Sequence, residues 1–173
     1  MNRVLVIGAG GAGKTTLARR LARCTNLPLV HLDTLYWRPG WEPTPREEWR
    51  SKVEALARSE QWIMDGNYES TLDIRLPACD TVVFVDRHRV LCVWRVFVRR
   101  IRHMGRRRPE LPVGCQERLT WEFLSWIWTY ASRRREGILS QLELLCASKR
   151  VVILRSGNST EQFLRGICDA PAV

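Results

Sequence analysis

The sequence predicts an α/β fold on a mainly parallel sheet, and two observations carry that reading. Short β-branched runs alternate with helical patterns along the chain, and a glycine-rich turn joins the first apolar run directly to the first helix. The strands fall at Arg3–Ile7, Leu29–Leu32, Trp62–Met64, Thr81–Val85 and Arg150–Leu154. Between the first two, Leu17, Leu21 and Cys24 recur with the four-then-three spacing of one helix face, which predicts a helix over Lys14–Cys24. A second helix is expected over Arg46–Arg58, with Thr44 as its N-cap and Pro45 at its first position. Gly105–Cys115 is basic, poorly periodic and interrupted by Pro and Gly, so it reads as a mobile loop between helices. Gln116–Tyr130 and Arg133–Ala147 look helical, and a short helix near Thr160–Cys168 closes the chain. The length is that of one domain, residues 1–173, with a lid insertion at about 103–116.

No apolar run approaches the ~18 residues of a membrane span, and the first residues are too short for a signal peptide, so a cytoplasmic protein with no membrane partner is expected. The six cysteines are scattered without a C-x-x-C pair and read as free, mostly buried thiols. A formal charge of +10 calls for a polyanionic partner, whether nucleotide, nucleic acid or anionic surface. Only Lys14, Lys52 and Lys149 are lysines; an arginine excess suits phosphate, but GC-rich codons would also produce it.

The chemistry begins at Gly8-Ala9-Gly10-Gly11-Ala12-Gly13-Lys14-Thr15, followed by Thr16, which fits G-x-x-x-x-G-K-[ST] and lies between a strand and a helix as that motif must. Small residues let the backbone wrap a β-phosphate, with N–H dipoles adding to the helix N-terminus. Lys14 is expected on the β- and γ-phosphates, and the Thr15 hydroxyl on Mg²⁺. Ligands of open α/β sheets bind beyond the carboxyl ends of the strands, where Asp33 and Asp65 stand. Asp65 is assigned to the metal and Asp33 to an acceptor hydroxyl, although either could cap a helix or end a turn. Asp86 reads as structural or capping.

Arg87 to Arg108 holds nine arginines and no acidic residue after Asp86. In a helix to about position 103, Arg95, Arg99 and Arg102 share one face, while Leu91, Trp94, Val98 and Ile101 form a packing face. Arg106 follows in the loop. Such arginines could close over a transferring phosphoryl group, line a nucleic-acid patch or simply be solvated. Trp37 and Trp41 flank Arg38-Pro39-Gly40 where an acceptor would enter, and Trp121, Leu124 and Trp128 read as core. His31, His88 and His103 are given no catalytic role.

The combination of Gly8–Thr16, His31-Leu32-Asp33, Trp37-Arg38-Pro39-Gly40-Trp41, Asp65-Gly66-Asn67-Tyr68 and the arginine-rich Arg99–Pro109 resembles the adenylate-kinase-like P-loop proteins known as DNA topology modulation proteins. That resemblance implies a three-layer P-loop NTPase fold with a five-stranded parallel sheet, arranged as in nucleoside and shikimate kinases, with an arginine-bearing lid after the fourth strand. Asp65-Gly66 stands where adenylate kinases have Asp-Gly, but Asn67-Tyr68 replaces their Phe-Pro-Arg. The departure removes an acceptor-binding arginine and weighs against a nucleoside monophosphate acceptor; Asp33 is similar to the aspartate after the second strand in shikimate-type kinases. The function expected is an ATP- and Mg²⁺-dependent phosphotransferase acting on a small hydroxyl or phosphate acceptor, with Lys14, Asp33, Arg99, Arg102 and Arg106 catalytic. A DNA-associated ATPase and a nucleotide-binding regulatory module are the rivals.

Overall fold

A computed structural model describes residues 1–102, 114–115 and 119–169. Five parallel strands, β1 (Arg3–Gly8), β2 (Leu29–His31), β5 (Trp62–Asp65), β6 (Thr81–Val85) and β7 (Arg150–Leu154), form one sheet in the order β2-β5-β1-β6-β7. The runs Val4–Ile7 and Thr81–Val85 are buried throughout, the mark of strands covered on both faces by helices. The cover comprises α1 (Lys14–Thr25), α3 (Arg46–Ala57), α4 (Leu72–Ala78), α5 (Arg89–Arg102), α6 (Trp121–Arg133), α7 (Arg135–Leu145) and α8 (Gly157–Cys168). Within it α1 packs on α8, α3 on α4, and α6 on both α5 and α7. After β2 comes the five-residue helix α2 (Leu32–Tyr36), then a two-stranded antiparallel hairpin of β3 (Trp37–Arg38) and β4 (Glu42–Pro43).

Four expectations need correction. The α3 helix starts at Arg46 with Pro45 as its N-cap residue; the Thr44 hydroxyl instead donates to the Tyr36 carbonyl at 2.6 Å, tying the hairpin to α2. On α5 the buried residues are Cys92 and Val96, whereas Leu91, Trp94 and Ile101 are exposed, Trp94 at 60%. On α6 the core is taken by Ile127 and Tyr130, while Trp121 is 83% exposed and Trp128 lies under the Arg89 guanidinium, 4.4 Å from its ring centroid. Fourth, Cys24 and Cys168 are not free thiols. They form a disulfide between the C-terminal ends of α1 and α8 across 144 positions of sequence.

Both cysteines of that bridge are exposed. Closing so long a loop restricts the unfolded chain, so reduction is expected to lower stability by about 2–4 kcal/mol. Urea unfolding with and without a thiol reductant measures it, and an unchanged midpoint would show that the bridge contributes nothing.

Candidate active site

The glycines at the end of β1 are set by close approach of other backbone. Gly8 has φ 145°, and a Cβ there would lie 2.4 Å from the Val85 carbonyl of β6. Gly11 has φ 78°, and its Cβ would meet the Cys92 carbonyl of α5 at 2.3 Å. The loop is therefore wedged between β6 and α5, and Arg95 of α5 holds it further by donating to the Ala12 carbonyl at 3.2 Å. Helix α1 has no acidic residue in its first turn, which leaves the positive end of its dipole uncompensated.

Lys14 opens α1, and its Nζ folds across the loop to donate to the Ala9 carbonyl at 2.9 Å. Burial pulls its pKa below the ordinary lysine value; the negative charges of Asp65 and Asp33 act against that, and the Arg99 guanidinium acts with it. The lysine thus feels Asp65 of β5, Asp33 and one arginine of α5, three groups from separate elements.

Asp65 is the last residue of β5 and is buried, as a strand-end aspartate should be. His31 is its partner in the parallel register between β2 and β5, and the imidazole Nδ1 lies 3.1 Å from Asp65 Oδ2. His31, given no catalytic role on sequence grounds, is thus in contact with Asp65. Asp33 lies not on a strand but in the first turn of α2, exposed. The Tyr68 hydroxyl donates to Asp33 Oδ1 at 2.6 Å. Burial, then the Asp33 charge, push the Tyr68 pKa far up, so this phenol stays a neutral donor.

The Asp65–Tyr68 loop is held from beneath by a residue that sequence reasoning missed. Arg75 of α4 is 0% exposed and has no carboxylate partner among the described residues. Its guanidinium donates to the carbonyls of Thr71 (3.3 Å), Gly66 (3.0 Å), Tyr68 (2.7 Å) and Asn67. Burial lowers its pKa to about 10, so it remains a cation at neutral pH. Tyr68, at φ 33°, adopts a left-handed conformation rare for a bulky residue, and the Arg75 bonds fix it there. The Asn67 side chain faces the other way, its Oδ1 accepting from the Gly8 N–H at 2.8 Å and so linking this loop to the first P-loop glycine.

Asp86, read as structural or capping, is bound by Arg135 through bonds of 2.9–3.1 Å. Along α5 an open cleft of about 420 Å³ is lined by Leu91, Trp94, Arg95, Val98, Arg99 and Arg102. The apolar face read as packing thus lines a cleft together with the arginines. Arg106 and all of the lid except Gly114 and Cys115 lie outside the described residues. Those two residues touch the tryptophan hairpin: Gly40 N–H donates to the Gly114 carbonyl at 3.4 Å, and the Cys115 thiol to the Arg38 carbonyl at 3.2 Å.

Thr15, in the first turn of α1, and Asp65, at the end of β5, carry oxygen donors of the kind Mg²⁺ takes; among the described residues no cluster of three or more His, Cys, Asp or Glu could hold a metal by protein ligands alone.

No family model and no curated protein matches the chain. Among solved structures, a gluconokinase from Sinorhizobium meliloti 1021 is similar at a TM-score of 0.53 and 17% identity, over 97% of this chain and 90% of that one. A sugar kinase from Janibacter sp. HTCC2649 gives 0.50 at 17% identity, over 99% and 96%. At such identity the likeness is one of fold: the chain has the three-layer P-loop kinase fold. Among the described residues no helix is long and apolar enough to cross a membrane.

Proposed function

We propose that this protein is an ATP- and Mg²⁺-dependent phosphotransferase that moves a γ-phosphoryl group to a hydroxyl of a small molecule. The observation that carries this reading is the Asp33 carboxylate, exposed, oriented by Tyr68 and within electrostatic reach of the P-loop lysine. ATP would supply the phosphoryl group, and Mg²⁺ would offset the charge of its phosphates. The loop Gly8–Thr16 presents N–H groups to the β-phosphate, and Lys14 leaves the Ala9 carbonyl for the β- and γ-phosphates. Thr15 and Asp65 would hold the metal. Asp33 Oδ2, left outside the Tyr68 bond, takes the proton of the acceptor hydroxyl while the new O–P bond forms and ADP leaves. Arg99, Arg102 and Arg106 offset charge on the transferring group. The two kinases of like fold, both named for sugar-type acceptors, favour a hydroxyl over a phosphate acceptor. The resemblance to DNA topology modulation proteins adds a second reading, a DNA-associated ATPase, which the exposed basic helix α5 favours.

Arg99→Ala separates the two. As a phosphoryl-stabilising residue its loss should lower kcat by roughly ten- to a thousand-fold with little change in ATP affinity. As a DNA contact its loss should lower the slope of log K against log salt by roughly one unit and spare hydrolysis. A flattened slope with unaltered kcat would reject the phosphotransferase role. In the same assay Asp33→Asn should lower acceptor turnover and not ATP binding, whereas Asp65→Asn should raise the Mg²⁺ requirement; the opposite pattern would exchange the two roles.

A further inference from the structure

The ends of β2 and β5 are clasped together. His31 and Asp65 are paired in the parallel register, and the next residue along, Leu32, is fully enclosed. A Cβ on Gly66 would lie 2.9 Å from that of Leu32, so the two chain segments meet where only glycine fits.

Across this clasp the segments exchange hydrogen bonds. Residues 31–33 supply His31 and Asp33, and residues 65–68 supply Asp65 and Tyr68. His31 Nδ1 lies 3.1 Å from Asp65 Oδ2, while the Tyr68 hydroxyl donates to Asp33 Oδ1 at 2.6 Å. Each segment therefore brings one carboxylate and one donor, and each donor serves the carboxylate of the other segment. An ionised carboxylate only accepts, so its bond calls for a hydrogen on Nδ1.

The two carboxylates differ in how much they need their donor. Asp33 is exposed, and water can satisfy it in the absence of Tyr68. Asp65 is 6% exposed and its charge reaches Lys14, so an oxygen stripped of its Nδ1–H partner would stay buried and unmet. A carboxylate that holds an ion must also present its oxygens in one orientation, and a hydrogen bond from a neighbouring group supplies it. His31 is itself fixed: its side chain is 18% exposed, and its main chain is held by the strand pairing with β5.

Resting on the phosphotransferase reading, in which Asp65 serves the metal, we propose that His31 is a positioning residue that holds the Asp65 carboxylate for that ion. The bonds cross: the segment carrying Asp33 steadies the metal residue, and the segment carrying Asp65 steadies Asp33. Proximity along the chain would assign them the other way, since Tyr68 is the nearer neighbour of Asp65 and His31 that of Asp33.

The test is metal binding, with no acceptor and no turnover. Mn²⁺ is titrated into the full chain held in excess over a non-hydrolysable ATP analogue, and free Mn²⁺ is read by electron paramagnetic resonance. Binding of the analogue without metal is measured in parallel. His31→Ala is expected to weaken Mn²⁺ in this complex by roughly tenfold or more and to leave metal-free binding of the analogue within about twofold. His31→Asn, whose amide can donate from close to the Nδ1 position, is expected to recover most of the loss. Tyr68→Phe is expected to leave Mn²⁺ affinity unchanged. The proposal would be overturned by Mn²⁺ affinity unmoved in His31→Ala, by a His31→Asn variant as weak as His31→Ala, or by an equal loss in Tyr68→Phe. A fall in metal-free analogue binding that matches the fall in Mn²⁺ affinity would overturn it too, by showing a merely structural role. Asp65→Asn separates this inference from the reading beneath it. If Asp65→Asn weakens Mn²⁺ and His31→Ala does not, the positioning role alone fails; if neither does, the metal assignment of Asp65 fails with it.

Discussion

Replacing Lys14 with alanine is expected to reduce ATP turnover by about three orders of magnitude while leaving the folded protein at least as stable as before. Lys52 and Lys149, the remaining lysines, bond Glu48 and the Pro77 and Cys79 carbonyls, so neither can take over the charge. The stability half of the expectation follows from the direction of the Lys14 shift. Its pKa in the folded chain lies below the ordinary value of 10.5, so in the window between the two the unfolded chain binds more protons. Stability contributed by this group therefore rises with pH through that window, and at neutral pH the buried ammonium is a net cost. Lys14→Ala should remove that part of the pH slope. Urea midpoints between pH 7 and about 10.5, beside an ADP-release assay, measure both halves. Unchanged turnover in a folded variant would rule out the P-loop as the site of catalysis.

The second large effect is expected at Arg75. Arg75→Met keeps much of the side-chain volume but strips the donors from the carbonyls of Gly66, Asn67, Tyr68 and Thr71. Stability should fall by about 3–5 kcal/mol, because several buried acceptors lose their partner together. Residual activity should fall further than ATP affinity does, since Tyr68 would no longer be held where it orients Asp33. Denaturant unfolding and nucleotide titration read the two effects. A variant of unaltered midpoint would mean that the Asp65–Tyr68 loop keeps its shape without the guanidinium.

The parts of this architecture legible in the sequence were those with a short-range signal. The β-branched runs located all five sheet strands to within a residue at each end, and the spacing of Gly8, Gly13 and Lys14 identified the P-loop. The position of Asp65 at the end of β5 was legible because it closes the apolar run Trp62–Met64. Other features depend on strand order or on distant chain segments, and carry no local mark. His31 meets Asp65 only because β2 lies beside β5, a neighbour relation absent from the linear sequence. Cys24 and Cys168 have no spacing rule to join them. The α4 helix escaped notice because Pro77 lies inside it and it is only seven residues long, so nothing singled out Arg75. The packing face of α5 was misread for a different reason. Val90, Leu91, Cys92, Val93, Trp94, Val96, Phe97 and Val98 place apolar groups around most of the helix, and periodicity then cannot choose a face. The same holds for α6, where Trp121, Phe123, Leu124, Trp126, Ile127, Trp128 and Tyr130 leave several faces open.

The order of strands in the sheet bears on how the protein is made. The central strand β1 leaves the ribosome first, yet its neighbours β5 and β6 begin at Trp62 and Thr81, and the edge strand β7 only at Arg150. At about 5–20 residues per second, the apolar segment Val4–Ile7 waits several seconds for its first neighbour, and the sheet waits roughly ten to thirty seconds for its last. Until β6 has emerged this buried segment has an unpaired edge, a state open to capture by chaperones or by another nascent chain. A ribosome-stalled chain ending near residue 100 should therefore be far more protease-sensitive at β1 than the released protein, whose sheet is complete only after Leu154 has emerged.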